Sequence, residues 1–186
     1  MAVAAAVALA GCGTGAARSA AVDPAAFRGS GFAACPESVD APAATDPLPA
    51  TPLQCMDGSG RDVRLDRPTG VPMVVNLWAP WCGPCAEELP AFQRLHVAAR
   101  DQLVVLGVVT DSAAAQSVSA AKDFQLGFAN VYDRGSAVLR GLKRASLPVT
   151  VFVGPDGGVR HVYTGPALTD SALRALVRTH LDVVVR

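Results

Sequence analysis

Continuous apolar runs alternate with helically spaced apolar positions through the middle of the chain. Residues 73–79 and 103–109 are apolar runs rich in β-branched side chains, which are typical of strands buried on both faces. Between them, Leu89, Phe92 and Leu95 recur at intervals of three to four residues, which predicts a helix. Two buried strands around one helix form a βαβ unit, so we expect a parallel pair with a right-handed crossover.

Weaker patterns on either side of this unit predict the remaining elements. Upstream, residues 62–65 alternate like a short strand. The turn over 154–158, with its Gly-Pro-Asp-Gly-Gly sequence, predicts an antiparallel hairpin. The other elements predicted downstream are a helix that Asp111-Ser112 would cap and that runs to Phe124, a strand over 130–132, a helix over 136–143, strands over 147–153 and 159–164, and a helix from Thr169 to about Leu181.

The N-terminal third lacks these patterns and divides into two appendages and an apolar start. Residues 1–11 are small and apolar, too short to span a bilayer, and resemble the apolar region of an export signal peptide. Residues 12–34 are rich in Ala, Gly and Ser and predict a flexible tether. Residues 35–60 predict an irregular, proline-rich extension, and 61–186 form the main domain.

Leu9-Ala10-Gly11-Cys12 is similar to the bacterial lipobox, in which the cysteine is lipidated and becomes the mature N-terminus. A lipid on Cys12 would hold the protein on the membrane surface without crossing it. The alternative is an Ala-rich stretch with an incidental cysteine. An export signal begins with positive charge, whereas the first basic residue is Arg18, so a true start upstream of Met1 stays open.

Composition indicates one globular domain with appendages and argues against one class of partner, nucleic acids. The chain has 186 residues, 51% of them hydrophobic, which is enough for a sizeable core. Lys+Arg and Asp+Glu are equal at 16 each and neither sign forms a block, which argues against nucleic acid as a partner. His96, His161 and His180 show no metal-ligand spacing, so we predict neither a metal site nor a cofactor.

Trp81-Cys82-Gly83-Pro84-Cys85 follows the first buried strand and begins the predicted helix. Two thiols three residues apart in one helical turn share a face. The unpaired N–H groups and the dipole of that turn favour a thiolate, so we expect the pKa of Cys82 to lie below the ordinary value of about 8.5. Such a pair attacks a foreign disulfide with Cys82 and resolves the mixed disulfide with Cys85. The motif predicts thiol-disulfide exchange.

The five cysteines can be divided by function. Cys82 and Cys85 form the redox pair, and lipidation removes Cys12 from the count. The remaining Cys35 and Cys55 flank the proline-rich stretch, and an oxidising compartment favours their pairing as a structural disulfide. Closing that loop would stabilise the fold by roughly 3 kcal/mol. The alternative is a metal site of four thiols, which fits poorly because structural zinc usually draws on two Cys-x-x-Cys knuckles.

The order βαβ then ββα, with the dithiol on the first helix and a proline before the hairpin, resembles the thioredoxin fold. Trp78 and Trp81 bracket the motif as in thioredoxins, Pro90 matches the kink of their first helix, and Leu147-Pro148 matches their cis-proline. The resemblance covers roughly residues 60–182. It implies an α/β fold with a central mixed β-sheet flanked by helices, carrying here an extra helix-strand insertion and an N-terminal extension.

The extra helix and strand between 112 and 133, the hairpin, and Glu88 three places after Cys85 resemble the TlpA/ResA-like, DsbE-type branch of membrane-attached thioredoxins. That resemblance implies that Glu88 is catalytic and passes protons to or from the thiols. The alternative is an exposed glutamate that complements the helix dipole. Asn76 replaces the buried aspartate of cytosolic-type thioredoxins, so we expect it only to form hydrogen bonds in the strand.

The resemblance also implies a substrate groove beside the dithiol. In this interpretation Pro148 faces the thiols and shapes an edge where a substrate strand adds by backbone hydrogen bonds. The residues expected to border this groove are Trp81, Gly83, Pro84, Leu147, Pro148 and Val149. Trp78 is expected only to pack beneath the site.

The function implied is reduction of disulfides in exported proteins, such as apocytochrome c, at the outer face of the cytoplasmic membrane. A membrane dithiol carrier of the CcdA/DsbD type would supply electrons, and the protein would act as a lipid-anchored monomer. A disulfide oxidase is the first alternative, because the direction depends on a potential that the sequence does not fix. A copper-delivery protein on a thioredoxin fold is the second, although the cysteine spacing and histidine positions do not favour it.

Overall fold

A computed structural model of the chain describes residues 22–185, which form strands and helices in one mixed sheet structure. A short 3-10 helix, Pro24–Phe27, precedes them. The strands are β1 (Pro52–Cys55), β2 (Asp62–Arg64), β3 (Met73–Trp78), β4 (Val104–Thr110), β5 (Ala129–Asp133), β6 (Val149–Val153) and β7 (Val159–Tyr163). The helices are α1 (Gly83–Ala99), α2 (Ala114–Asp123), α3 (Ala137–Gly141) and α4 (Asp170–Leu181).

The seven strands form one sheet in the order β2-β1-β5-β4-β3-β6-β7. The central strands β3, β4 and β5 are parallel, as the βαβ pattern predicts, and β6 and β7 form the antiparallel hairpin. Every residue of β3, β5 and β6 is buried, because these inner strands are covered on both faces.

Two apolar cores cover the two faces of the sheet. On face one, Phe92 and Leu95 of α1, Val118 of α2 and Leu173 of α4 pack with Trp78 in one buried cluster. Face two is covered by a second cluster to which α3 contributes Val138 and Leu139 and the N-terminal extension contributes Cys35, Leu48 and Cys55. The dithiol belongs to face one and the second cysteine pair to face two.

The N-terminal part is more ordered than the composition indicated. Among the described residues of the expected tether, Phe27 is fully buried and Phe32 is nearly so, and Phe27 packs edge-on against Tyr132 at 5.5 Å between ring centroids. Within the expected irregular extension, Pro52–Cys55 form β1 between β2 and β5. The aromatic and apolar side chains of these stretches are buried against the sheet, which overrides their weak local propensity.

A disulfide joins Cys35 to Cys55, with 6.0 Å between the Cα atoms and a sequence separation of 20. The expected pairing is therefore present in the structure. It ties the extension to the end of β1, where Cys55 pairs with Val131 of β5.

The expected signal peptide, 1–11, and the candidate lipidation residue Cys12 lie outside the described residues. Within 22–185, none of the helices combines the length and apolar character that a membrane crossing requires.

Candidate active site

The dithiol lies where the buried strand β3 gives way to α1. Cys82 is the N-cap of α1, and Cys85 occupies its first turn. The two sulfurs form a disulfide of 2.04 Å, and the Cys85 backbone N–H points at Cys82 Sγ at 3.2 Å. Pro84 in the first turn costs no hydrogen bond, since the first N–H groups of a helix have no partner within it.

Cys82 is the more accessible of the two cysteines, although the margin is narrow. Its exposed fraction is 5%, against 0% for Cys85. Sequence reasoning placed Cys82 on the exposed side; the structure leaves only a small window onto it, beside exposed Gly83 and Pro84. An attacking disulfide must therefore approach through that window.

Trp81 stands beside this window with 61% of its side chain exposed, and a loop holds it there. Its indole Nε1 donates to the Asp111 carbonyl at 2.8 Å. The next carbonyl, of Ser112, accepts from the Tyr132 hydroxyl at 2.6 Å. The prediction that Asp111-Ser112 caps α2 was wrong: Ala113 is the N-cap, and Asp111 has a φ of 45°. The backbone of these two residues holds Trp81 in place.

Trp78 packs beneath the site, as expected, and is fully buried. Its Nε1 donates to Asn130 Oδ1 at 2.9 Å, which fixes the ring across β4. Gly107 lies between these groups: a Cβ there would come within 1.8 Å of Asn130 Oδ1. The close approach requires glycine at this position of β4.

Glu88 is buried at 1% exposure, one turn after Cys85 on the same face of α1. Its Oε1 accepts from Asn76 Nδ2 at 2.7 Å and its Oε2 from the Leu168 backbone N–H at 3.0 Å. Burial raises the pKa of Glu88, while the hydrogen bonds from Leu168 and Asn76 oppose that shift. The position is incompatible with an exposed glutamate that merely complements the helix dipole.

Asn76 does more than the strand hydrogen bonding expected of it, because it binds the carboxylate directly. Its register partner on β6 is Thr150, so both side chains lie on face one of the sheet. Asn76 Oδ1 and Thr150 Oγ1 are buried and have no hydrogen-bond partner among the described residues. Thr150 was not recognised in the sequence; its only signal is a polar residue at an inward position of an otherwise apolar strand.

The Leu147–Pro148 peptide bond is cis, as expected from the resemblance. Pro148 precedes β6, whose first residue, Val149, pairs with Leu77 near the end of β3. Because β3 leads directly into Trp81 and Cys82, the start of β6 lies at the same edge of the sheet as the dithiol. Val149 is buried, whereas Leu147 and Pro148 are half-buried at the rim.

The histidines lie elsewhere. His161 and His180 stack with 4.0 Å between ring centroids, and burial, followed by the neighbouring His161, lowers the pKa of His180. His96 stands edge-on to Phe128. In the part of the chain that the structure describes, no three His, Cys, Asp or Glu side chains form a group able to hold a metal ion.

Comparison with known proteins gives the family and the relatives of this chain. Residues 44–162 match the AhpC/TSA family. The chain is 29% identical over 129 residues to the thiol-disulfide oxidoreductase ResA of Geobacillus thermodenitrificans, covering 69% of this chain and 71% of that protein. It is 27% identical over 109 residues to ResA of Oceanobacillus iheyensis, covering 58% of this chain and 57% of the relative's length, less than two thirds.

Solved structures confirm the thioredoxin-like fold. A secreted Mycobacterium tuberculosis disulfide oxidoreductase homologous to E. coli DsbE superposes with a TM-score of 0.62 at 22% identity, covering 70% of this chain and 96% of that one. The thioredoxin domain of a thiol-disulfide oxidoreductase from Bacteroides vulgatus gives a TM-score of 0.61 at 21% identity, covering 75% and 98%. At these identities the likeness concerns the fold.

Proposed function

This chain belongs to the AhpC/TSA family, and we propose that it is an extracytoplasmic thiol-disulfide oxidoreductase that reduces disulfides in exported proteins. The observation that carries the proposal is the Cys82–Cys85 pair at the first turn of α1, at the sheet edge where Leu147-Pro148 precedes β6. The ResA relatives are named for the same chemistry.

In the reduced enzyme, the Cys82 thiolate attacks one sulfur of a substrate disulfide. A Cys82–substrate disulfide forms, and the other substrate sulfur leaves as a thiolate and takes up a proton. The Cys85 thiol then loses its proton, and its sulfur attacks Cys82 Sγ. This step forms the Cys82–Cys85 disulfide seen in the structure and releases the second substrate thiolate. Two electrons have passed to the substrate.

Glu88 supplies the proton acceptor for Cys85 in this proposal. Cys85 is fully buried, so its proton needs an acceptor inside the protein. Glu88 is one turn away and buried, and its raised pKa makes protonation of the carboxylate easier at neutral pH.

Asn76 is suited to both protonation states of Glu88. With the carboxylate, Asn76 Nδ2 donates to Oε1, as observed. After protonation, a half-turn of the Asn76 amide would bring its unpartnered Oδ1 to the new carboxylic O–H. Aspartate at this position would instead place a second negative charge beside Glu88.

We place the protein in the cell envelope, outside the cytoplasm. The Cys35–Cys55 disulfide requires an oxidising compartment, and one structural neighbour is a secreted protein. In that setting a CcdA/DsbD-like membrane dithiol carrier would return electrons to Cys82–Cys85. Lipidation of Cys12, a monomeric state and apocytochrome c as substrate belong to the same proposal.

The test is the redox activity and the reduction potential of the full chain. We expect dithiothreitol-driven insulin reduction and, in glutathione buffers, a potential nearer that of thioredoxin, about −270 mV, than that of DsbA, about −120 mV. A Cys35→Ser/Cys55→Ser variant is the matched control, since it removes two cysteines and keeps the redox pair. A potential near the DsbA value would establish the oxidase instead, and absence of insulin reduction would overturn the proposal.

A further inference from the structure

A run of positive charge in the sequence begins at the dithiol edge. Between β5 and β6 the chain carries the cations Arg134, Arg140, Lys143 and Arg144 and no carboxylate, in a protein with 16 cations and 16 anions overall. We infer that this segment, residues 134–144, binds acidic side chains that flank the disulfide of the substrate protein. The inference deepens the proposed function and rests on it.

All four cations are exposed, and none of them forms an ion pair with a carboxylate among residues 22–185. The ion pairs found among residues 22–185 use other arginines: Arg64, Arg94, Arg160 and Arg174. The nearest acidic residue in sequence, Asp133, is buried, and its carboxylate accepts from the backbone N–H groups of Ala137 and Val138 at the start of α3. The Arg140 guanidinium donates to the Gly135 carbonyl.

Strand register places the segment at the dithiol edge. Asp133, the last residue of β5, pairs with Thr110 of β4, and Trp78 at the end of β3 pairs with Val109 of β4. β5 therefore ends at the edge where β3 leads into Trp81. After the segment, residues 145–148 lead through Leu147-Pro148 into β6, which starts at that same edge.

Two of the four cations lie at that edge: Arg134 directly follows Asp133 of β5, and Arg140 donates to the carbonyl of Gly135. Lys143 lies farther along face two, where it lines a cavity with Asp46, Val159 and Val162. The helix α3 between them is only about 8 Å long, and Val138 and Leu139 anchor it in the core of face two. Face one meets the same edge through α1 and the loop after β4, where the exposed charges are the acidic Glu87 and Asp111. The edge is thus basic on the side of Pro148 and acidic on the side of Trp81.

A protein substrate fits this arrangement better than a membrane does. A substrate strand that adds at Pro148 would lie at the edge that carries Arg134 and Arg140. Acidic side chains on that strand would be attracted to these cations over the screening length of about 8–10 Å at physiological salt. A bilayer lying on the same cations would cover the window to Cys82. Acidic residues beside the substrate disulfide would raise the rate of encounter and fix its direction in the groove.

The test uses three disulfide-cyclised peptides of one core sequence, flanked by glutamates, by glutamines or by lysines. The rate of reduction by the reduced full-length protein is measured at low and at high salt. We expect the glutamate peptide to react at least about tenfold faster than the glutamine peptide at low salt, with the ratio falling as salt rises. The lysine peptide should react slowest.

The Arg134→Glu/Arg140→Glu variant should reverse the order of the glutamate and lysine peptides. The matched control is Lys122→Glu/Arg178→Glu, which makes the same charge change on exposed residues in the last turns of α2 and α4 and should keep the wild-type ratio. If the wild type fails to reduce even the glutamine peptide, the proposed function is wrong. Equal rates for all three peptides would overturn only this inference.

A last experiment measures binding of the wild type and the variant to vesicles of phosphatidylglycerol. If the wild type binds them and the Arg134→Glu/Arg140→Glu variant does not, while the peptides show no charge preference, the cations bind the membrane instead of the substrate. That outcome also overturns the inference.

Discussion

The two disulfides of this protein are about equally buried, and they differ in loop length, in their neighbours and in the face of the sheet on which they lie. Cys82–Cys85 closes one helical turn on face one, beside the exposed Trp81 and one turn from the titratable Glu88. Cys35–Cys55 closes a loop with a sequence separation of 20 and lies in the apolar core of face two. The same bond is therefore suited to exchange in one place and to stability in the other.

The comparison shows that the residues around each disulfide, more than the S–S bond itself, determine whether it is suited to redox exchange or to stabilising the fold. The redox pair lies beside the exposed Trp81 and one turn from the buried carboxylate of Glu88, which accepts a hydrogen bond from Asn76. The structural pair ties the N-terminal extension to β1, where loss of the bond would release chain entropy instead of a nucleophile.

Breaking the redox pair should give the largest effect. Cys82→Ser should abolish disulfide reduction, and Cys85→Ser should stop turnover at the mixed disulfide, because Cys82 then forms a bond that nothing resolves. Insulin reduction measures the first, and capture of a disulfide-linked substrate on a non-reducing gel measures the second. Substantial turnover by Cys82→Ser would contradict the assignment of the nucleophile.

Breaking the structural pair should cost stability and leave chemistry intact. Cys35→Ala/Cys55→Ala should lower the free energy of unfolding by roughly 3 kcal/mol, or Tm by about 6–12 °C, because the unfolded chain regains loop entropy. Thermal unfolding followed by circular dichroism checks this, with insulin reduction at 25 °C as the control. Lost activity in a variant that is still folded would mean that the two disulfides are coupled.

Removing the titratable neighbour should change how stability depends on pH. The raised pKa of Glu88 means that folding favours its protonated form, so the cost of its burial appears as pH rises through that pKa. We expect Glu88→Gln to gain stability relative to wild type as pH rises from the ordinary glutamate pKa through the raised pKa of Glu88. Below the ordinary glutamate pKa of about 4.3 the charge-dependent difference should vanish.

Glu87→Gln, at an exposed neighbouring position, is the matched control for the Glu88 experiment. Denaturant unfolding at several pH values provides the measurement for both variants. A difference between wild type and Glu88→Gln that does not change with pH would show that the carboxyl is not responsible.

The smallest effect should come from the loop that holds Trp81. Tyr132→Phe removes the hydroxyl that binds the Ser112 carbonyl, at a cost of about 0.5–1.5 kcal/mol. We expect the freed loop to loosen Trp81, raise its quenching by acrylamide and increase KM for a protein substrate more than it lowers kcat. A Trp78→Phe background isolates the Trp81 signal, and unchanged quenching would contradict the link.

The sequence predicted the elements whose signals are local and strong. The apolar runs of β3 and β4, the cysteine motif and the glycine-rich turn before β7 each depend on neighbouring residues, and the structure contains all of them. The cis-proline, also present, was predicted from the resemblance to thioredoxins. The Cys35–Cys55 pairing followed from counting, because only two cysteines remained for an oxidising compartment.

The features that were missed depend on contacts between residues far apart in sequence. β1 gains its place by pairing with β5, whose Tyr132 lies opposite Gln54. Phe27 had a signal, an aromatic residue in a stretch of small ones, but its partner Tyr132 could not be deduced. Thr150 became part of the site only because β6 lies beside β3.

The position of β1 has a consequence for how the chain can be cut. A fragment that begins near Asp62, where the main domain was expected to start, would lose β1 and leave the N–H and C=O groups along one side of β5 open to solvent. Open strand edges recruit strands from other chains, so such a fragment should associate or aggregate even with its dithiol intact. The smallest well-behaved unit therefore begins upstream of β1, within or before the extension over 35–60 that was expected to be irregular.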